Sequence, residues 1–198
     1  MPMTPSTMLD LGTTLPPFRL PDADGTIVSS SQFRSAAGLL VVFLCPHCPV
    51  VRHIRSEWAR FAREYQARGL PIVAINSNDA VTFPDDSVEG MKREISRAGY
   101  GFPYLIDEAQ SVAKAFHAAC TPDFFLFDRN QKLVYRGQFD DSRPKNDIPT
   151  TGFDLRMAAD AVLEGRTPLP VQKPSIGCNI KWKVGNEPDY FPVAVLAR

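Results

Sequence analysis

The stretch Leu39-Leu-Val-Val-Phe-Leu44 is followed directly by Cys45-Pro46-His47-Cys48. Six consecutive apolar residues predict a buried strand. The C-x-x-C motif begins where that strand ends, and an amphipathic helix is predicted to start from it. We expect this arrangement to place the Cys45 sulfur at the positive end of the helix, where a thiolate is favoured over a thiol.

The residues after the motif have helical periodicity. The apolar positions recur at spacings of three and four, and they are Val50, Val51, Ile54, Trp58, Phe61, Ala62 and Tyr65. This spacing predicts one buried helical face. Gly69 is expected to end the helix. Pro46 suits the first helical turn, whereas Pro49 is expected to make that turn irregular, because it lacks an N–H and disfavours helical backbone at Cys48.

Strand-like and helix-like segments alternate along the rest of the chain. Further strands are predicted at 71–76, 102–106, 123–127 and 132–136, the last two as a hairpin. Asp86-Ser87-Val88-Glu89 resembles a capping box that opens a second helix. A last helix is predicted over 153–163. This order indicates an α/β fold with a mixed central sheet flanked by helices.

The domain organisation follows from where periodicity is weak. Residues 1–10 are predicted to be a loose N-terminal arm, 11–166 the main domain, and 167–198 a Pro-rich, extended C-terminal tail.

Composition and charge exclude several functional classes. Lys plus Arg (22) equals Asp plus Glu (22), so neither a nucleic acid nor an anionic membrane surface is an expected partner. The N-terminus lacks the pattern of a signal peptide, and the longest apolar run is too short to span a bilayer. We therefore expect a cytoplasmic, reducing compartment, which argues against a static disulfide framework for the four cysteines.

The spacing of Cys45 and Cys48 is typical of redox chemistry. One thiolate attacks a disulfide and a second thiol resolves the mixed intermediate. We predict Cys45 as the exposed nucleophile, Cys48 as the resolving thiol, and His47 as a cationic hydrogen-bond donor that favours the thiolate. A zinc site would need four ligands at recognisable spacing, and a c-type haem motif would need a His where the chain has Pro49.

Further motifs carry a resemblance to a known family. They are Leu11-Gly12-Thr13, Pro17-Phe18-Arg19-Leu20, Asn76-Ser-Asn78-Asp79, Phe102-Pro103-Tyr104-Leu105, Thr121-Pro122 with Asp123-Phe-Phe-Leu-Phe-Asp128, Tyr135-Arg136-Gly137 and Gly177-Cys178-Asn179-Ile180-Lys181-Trp182-Lys183. Together with the C-x-x-C motif, they resemble the peroxiredoxin-like (redoxin, AhpC/TSA-related) branch of the thioredoxin superfamily. The resemblance implies a thioredoxin fold with an N-terminal redoxin-type extension and an extended C-terminal tail.

The resemblance also implies roles for individual residues. Pro122 is expected to be cis, and Thr121 and Pro122 are expected to face the C-x-x-C sulfurs and bind the backbone of a substrate. Cys120 would then lie close to the motif, as a resolving thiol or as a small buried hydrophobe. Cys178 is expected either to resolve an oxidised site, in its own chain or a partner's, or to anchor the tail beside Trp182.

The chain departs from peroxiredoxins of the peroxidase kind. Those enzymes carry a Pro and a Thr or Ser seven and three positions before the peroxide-attacking Cys. Here the corresponding positions hold Val41 and Cys45 before Cys48, and Gly38 and Val42 before Cys45. An Arg that those enzymes carry before a later strand is also absent. The departure weakens the peroxidase interpretation.

The sequence thus predicts a thiol-disulfide oxidoreductase with no metal and no cofactor other than the redox-active Cys45–Cys48 disulfide. The expected partners are a disulfide-containing protein or a low-molecular-weight thiol or disulfide, and a reductase that recycles the dithiol. Two alternatives remain open. One is a thiol peroxidase that uses Cys45 or Cys48, with Cys120 or Cys178 as the resolving thiol. The other is a redox-sensing interaction module whose tail binds a partner.

Overall fold

The computed structural model describes residues 3–191 of the chain. Its strands are β1 (Met3–Pro5), β2 (Arg19–Pro21), β3 (Ile27–Ser29), β4 (Gly38–Phe43), β5 (Ile72–Asn76), β6 (Tyr104–Ile106), β7 (Cys120–Thr121), β8 (Asp123–Asp128), β9 (Leu133–Gly137) and β10 (Ile176–Asn179). Its α-helices are α1 (Pro49–Ala67), α2 (Val88–Ala98), α3 (Ser111–Ala115) and α4 (Phe153–Leu163). In this described part, no helix is both long and apolar enough to cross a bilayer.

The central sheet has five strands in the order β6-β5-β4-β8-β9. β4 pairs with β5 in parallel and with β8 antiparallel. β5 and β6 are parallel, and β8 and β9 form the predicted antiparallel hairpin. The predicted mixed sheet is therefore confirmed, and the apolar strand that precedes the C-x-x-C motif lies at its centre.

Both faces of β4 are covered by apolar side chains, and all six of its residues are buried. Leu40 and Val42 pack in a cluster with Trp58 of α1, whereas Val41 and Phe43 pack in a second cluster on the opposite face. The alternation follows from the two-residue period of a strand. Layers on both faces of the sheet therefore bury the continuous apolar run.

Helix α1 begins later than predicted. Pro49 occupies its first position and Cys48 is the N-cap, with extended backbone. Proline suits the first helical position because the N–H that it lacks would have no partner there. Pro46 therefore lies in the loop before the helix, and Cys45 is separated from the helix end. The predicted apolar face of α1 is buried, and Gly69 (φ +89°) follows the helix end.

The N-terminal arm and the C-terminal tail pair with each other. β10 lies between β1 and β7 in a three-stranded antiparallel sheet, with Gly177 opposite Thr4 and Cys178 opposite Thr121. The prediction of a loose arm is therefore wrong for Met3–Pro5, because the backbone of this segment pairs with β10. The domain boundaries at residues 10 and 166 stay a prediction.

Gly177 lets β10 approach the strand that precedes Pro122. A Cβ atom at Gly177 would lie 2.1 Å from the carbonyl O of Thr121. We expect Gly177→Ala to destabilise the protein by about 1–3 kcal/mol, because backbone must shift to remove the clash. The measurement is the free energy of unfolding in urea.

Gly101→Ala is the matched control for this substitution. A Cβ atom at Gly101 meets only the Oε1 of Gln66, at 4.0 Å, which is an ordinary contact. Equal stabilities for the two variants would contradict the tight seating of β10.

Candidate active site

The two cysteines of the C-x-x-C motif face the loop that joins β7 to β8. The Cys45 Sγ lies 3.3 Å from the Thr121 Oγ1, and the Cys48 Sγ lies 3.2 Å from the Thr121 carbonyl O. The Thr121–Pro122 peptide bond is cis, which confirms the isomer expected from the resemblance. Both cysteines are free thiols and are buried, with exposed fractions of 1% for Cys45 and 0% for Cys48. The expectation of an exposed Cys45 is therefore not met in this reduced state.

Cys178 is a third thiol at this site. Its Sγ lies 3.0 Å from the Cys48 Sγ, and its exposed fraction is 1%. It reaches this position because β10 pairs with β7, which sets Cys178 opposite Thr121. Cys120, in contrast, directs its Sγ at the carbonyl O of Pro122, 3.8 Å away. This environment is that of a small buried hydrophobe.

The imidazole of His47 is held by a carboxylate. The backbone N–H of His47 donates to the Asp86 Oδ1 at 3.1 Å, and its ring Nδ1 forms a short hydrogen bond with the Asp86 Oδ2. The ring also stacks on Phe83, with centroids 5.7 Å apart. The Nε2 is buried and has no hydrogen-bond partner among residues 3–191.

Asp86 is the site residue that the sequence reasoning missed. The predicted capping box is wrong, because Ser87 is the N-cap of α2, with its Oγ accepting from the Gly90 N–H. Asp86 instead turns toward the active-site imidazole and accepts a hydrogen bond from the Asn78 Nδ2 at 2.7 Å. The Asn78 Oδ1 in turn accepts from the backbone N–H of Lys181 at 2.8 Å. Asn78 and Lys181 lie in two of the family-like motifs, which was the signal available in the sequence.

The pKa values of the thiols differ from the expectation. Burial raises the pKa of Cys45, and its hydrogen bond to Cys48 and the negative charge of Asp86 raise it further. Hydrogen bonds from the thiols of Cys178 and Cys45 hold the pKa of Cys48 well below its ordinary value, and the backbone N–H of Val51 contributes. Cys48 therefore carries the thiolate more readily than Cys45, chiefly because of its hydrogen bonds with Cys178 and Cys45.

One group of side chains in the described chain could hold a metal ion. The ligating atoms of Cys45, His47 and Asp86 all lie within 4.8 Å of one another. The group offers three ligands, and structural zinc sites have four. Two of these ligands, His47 and Asp86, are already hydrogen-bonded to each other. The prediction of a metal-free site stays a prediction.

Comparison with known proteins gives matches over most of the chain. An uncharacterized conserved protein from Geobacillus kaustophilus, known from a crystal structure, is 54% identical to it. That alignment covers 92% of this chain and 97% of the other, with a TM-score of 0.90. The thiol-disulfide oxidoreductase ResA of Halalkalibacterium halodurans is 25% identical over 117 residues, which are 59% of this chain and 62% of that protein. The chain thus matches less than two thirds of the length of this curated relative.

The fold and the family follow from two further matches. The thioredoxin domain of a thiol-disulfide oxidoreductase from Bacteroides vulgatus superimposes with a TM-score of 0.56 at 19% identity, covering 66% of this chain and 89% of that one. The predicted thioredoxin fold is confirmed. The model of the AhpC/TSA family matches residues 11–136. With this match over more than half of its length, the chain belongs to the AhpC/TSA family.

Proposed function

We propose that this protein is a thiol-disulfide oxidoreductase that exchanges disulfides through Cys45 and Cys48. The observation that carries the proposal is the convergence of both sulfurs on Thr121, next to the cis proline, at 3.3 and 3.2 Å. The two thiols of the C-x-x-C motif therefore lie side by side, next to the loop that contains the cis proline. The similarity to ResA, a thiol-disulfide oxidoreductase, supports the same chemistry.

The reaction needs two exchange steps. Cys45 attacks one sulfur of a substrate disulfide, so a bond forms between Cys45 and that sulfur while the other substrate sulfur leaves as a thiolate. Cys48 then attacks Cys45, which closes the Cys45–Cys48 disulfide and releases the second substrate thiol. Two electrons pass from the protein to the substrate, and the reverse sequence oxidises a substrate dithiol.

Cys45 is assigned the first attack because of its surroundings. Its Sγ faces the hydroxyl of Thr121, whereas Cys48 is enclosed by the carbonyl O of Thr121 and by Cys178. Because the pKa of Cys45 is raised, the thiol must lose its proton during the reaction. The imidazole of His47 and the carboxylate of Asp86 lie beside it and can accept that proton.

The proposal also covers the substrate, the reductant and the cellular compartment of the reaction. The substrate is a disulfide-containing protein or a low-molecular-weight disulfide, bound at Thr121 and Pro122, and a separate reductase regenerates the dithiol. The Cys45–Cys48 disulfide is the only redox group required. We place the reaction in the cytoplasm, and the balanced composition of 22 basic and 22 acidic residues argues against nucleic-acid or anionic-membrane partners.

Substitution of the two cysteines tests the function. We expect Cys45→Ser and Cys48→Ser to abolish the reduction of insulin disulfides in the presence of dithiothreitol, because each removes one of the two steps. In a separate incubation with glutathione disulfide and no dithiothreitol, Cys48→Ser should accumulate a mixed disulfide between Cys45 and glutathione, detected by intact mass.

Cys120→Ser is the control, since it makes the same change at a buried thiol outside the pair and should retain activity within about twofold of the wild-type protein. Wild-type turnover in Cys45→Ser would contradict the mechanism. A wild-type protein that is oxidised by glutathione disulfide but never turns over insulin would favour the redox-sensing module.

The charge of Asp86 gives a pH-dependent prediction. A negative charge beside a thiol raises the pKa of that thiol, so Asp86→Asn should lower the pKa of Cys45. The pH midpoint for alkylation of Cys45 by iodoacetamide, located by fragment mass spectrometry, should move to lower pH. Asp85→Asn removes the same charge at the exposed neighbouring residue and should leave the midpoint unchanged. Equal pH midpoints in the two variants would show that the charge of Asp86 does not raise the pKa of Cys45.

Oxidation by peroxide distinguishes the thiol peroxidase alternative. The raised pKa of Cys45 keeps it protonated, and a thiol reacts with oxidants far more slowly than a thiolate. Cys48 has a lowered pKa but is 0% exposed, so its thiolate is shielded from peroxide. We expect the reduced protein to consume hydrogen peroxide at a rate similar to that of free glutathione, followed by intact mass. A rate orders of magnitude faster would make peroxide reduction the function.

A further inference from the structure

The sulfur atoms of Cys48 and Cys178 are close enough to exchange a bond. They lie 3.0 Å apart, about 1 Å more than the length of a disulfide bond, which is about 2.05 Å. We propose that Cys178 is a third redox cysteine, which attacks the Cys45–Cys48 disulfide at Cys48 and forms a Cys48–Cys178 disulfide. This inference rests on the proposed function, since that function supplies the first disulfide.

The backbone fixes Cys178 from both sides. In β10, Cys178 lies opposite Thr121 of β7 and opposite Met3 of β1. The neighbouring Gly177 has no side chain to keep β10 away from the carbonyl O of Thr121. The thiol therefore comes from a strand that is hydrogen-bonded along both edges, so its position beside Cys48 is built into the fold.

The start of α1 acts on both sulfurs of this pair. In the reduced protein the hydrogen bond with Cys48 and burial raise the pKa of Cys178, and the backbone N–H of Val50 acts in the opposite direction. The backbone N–H of Val51 contributes to the lowered pKa of Cys48. Free N–H groups at a helix N-terminus stabilise thiolates, so these groups partly offset the burial of Cys178 as it attacks and favour Cys48 as the leaving sulfur in the reverse step.

The exchange is balanced without any added reagent. Cys178 gives up its proton, and its sulfur forms a bond to the Cys48 Sγ as the bond between Cys48 and Cys45 breaks. Cys45 leaves as a thiolate and takes up a proton. No electrons leave the protein in this step, because the oxidant was the substrate disulfide of the preceding reaction. The result returns Cys45 to the thiol state while the protein stays oxidised.

The tail runs along β7, the strand that precedes the cis proline. β10 pairs antiparallel with the two residues that directly precede Pro122, and it brings a cysteine to the C-x-x-C motif. A strand of the same chain thus supplies the sulfur with which Cys48 exchanges. Cys120 does not have this geometry, although it is equally buried, because its Sγ contacts a carbonyl oxygen.

Disulfide mapping on the full-length protein tests the proposal. The reduced protein is oxidised with glutathione disulfide, quenched in acid, alkylated with N-ethylmaleimide under denaturing conditions and digested with trypsin. Cys45 and Cys48 share the peptide 35–52, and Cys178 lies on the peptide 167–181. We expect the wild-type protein to yield both the internal disulfide of 35–52 and a cross-link between the two peptides. In Cys45→Ser, where glutathione disulfide forms a mixed disulfide with Cys48 and Cys178 then displaces glutathione, most of the Cys178 should be in the cross-link.

The controls separate the two proposals. Cys120→Ser should give the wild-type distribution, and Cys48→Ser should give no cross-link. Cys178→Ser should still form the Cys45–Cys48 disulfide, and absence of that disulfide would overturn the proposed function itself. Fully alkylated Cys178 in both the wild-type protein and Cys45→Ser, together with a normal Cys45–Cys48 disulfide, would overturn only the role of Cys178. The wild-type arm needs no substitution, so it does not depend on a variant that folds.

Discussion

Strand β4 packs its side chains into apolar clusters on both faces of the central sheet. Its six residues are all buried, and its backbone is paired on both sides by β5 and β8. The register of β4 with β8 sets Phe43 opposite Asp123. This pairing brings the residues before Asp123 to the residues after Phe43, so Thr121 meets Cys45. The hydrophobic core thus aligns the thiols with the cis-proline loop.

Buried polar groups hold the remaining parts of the active site. A buried donor or acceptor without a partner is costly, so such groups form connected networks. Here the network runs from the backbone of Lys181 through Asn78 and Asp86 to His47. It joins the tail, the loop after β5 and the C-x-x-C loop. The charge beside Cys45 therefore depends on three segments that are distant in the sequence.

Local patterns predicted the parts of the molecule that local interactions decide. The apolar run of β4, the buried face of α1 and the final helix depend on periodicity and were correctly predicted. The pairing of Met3–Pro5 with Ile176–Asn179 was not predicted. Short strands without alternation carry no periodic signal, and this pairing is long-range. Asp86 fits a capping pattern, yet its hydrogen bonds to the active-site loop take it away from the helix. The expected order of acidity of the two motif cysteines was not met, because it depends on burial and on contacts with Asp86 and Cys178, which are distant in the sequence.

Because β10 pairs with β1 and β7, the active site depends on a segment that is synthesised late. Chains emerge from the ribosome N-terminal end first, and domains begin to fold as they emerge. Cys48 is made 130 residues before Cys178. The nascent protein can therefore assemble β4, α1 and the cis-proline loop while β10 is still inside the ribosome, with the dithiol not yet covered by that strand. Docking of the last strand is the step that sets the Cys178 thiol beside Cys48, so the three-cysteine site is complete only after most of the chain has been made.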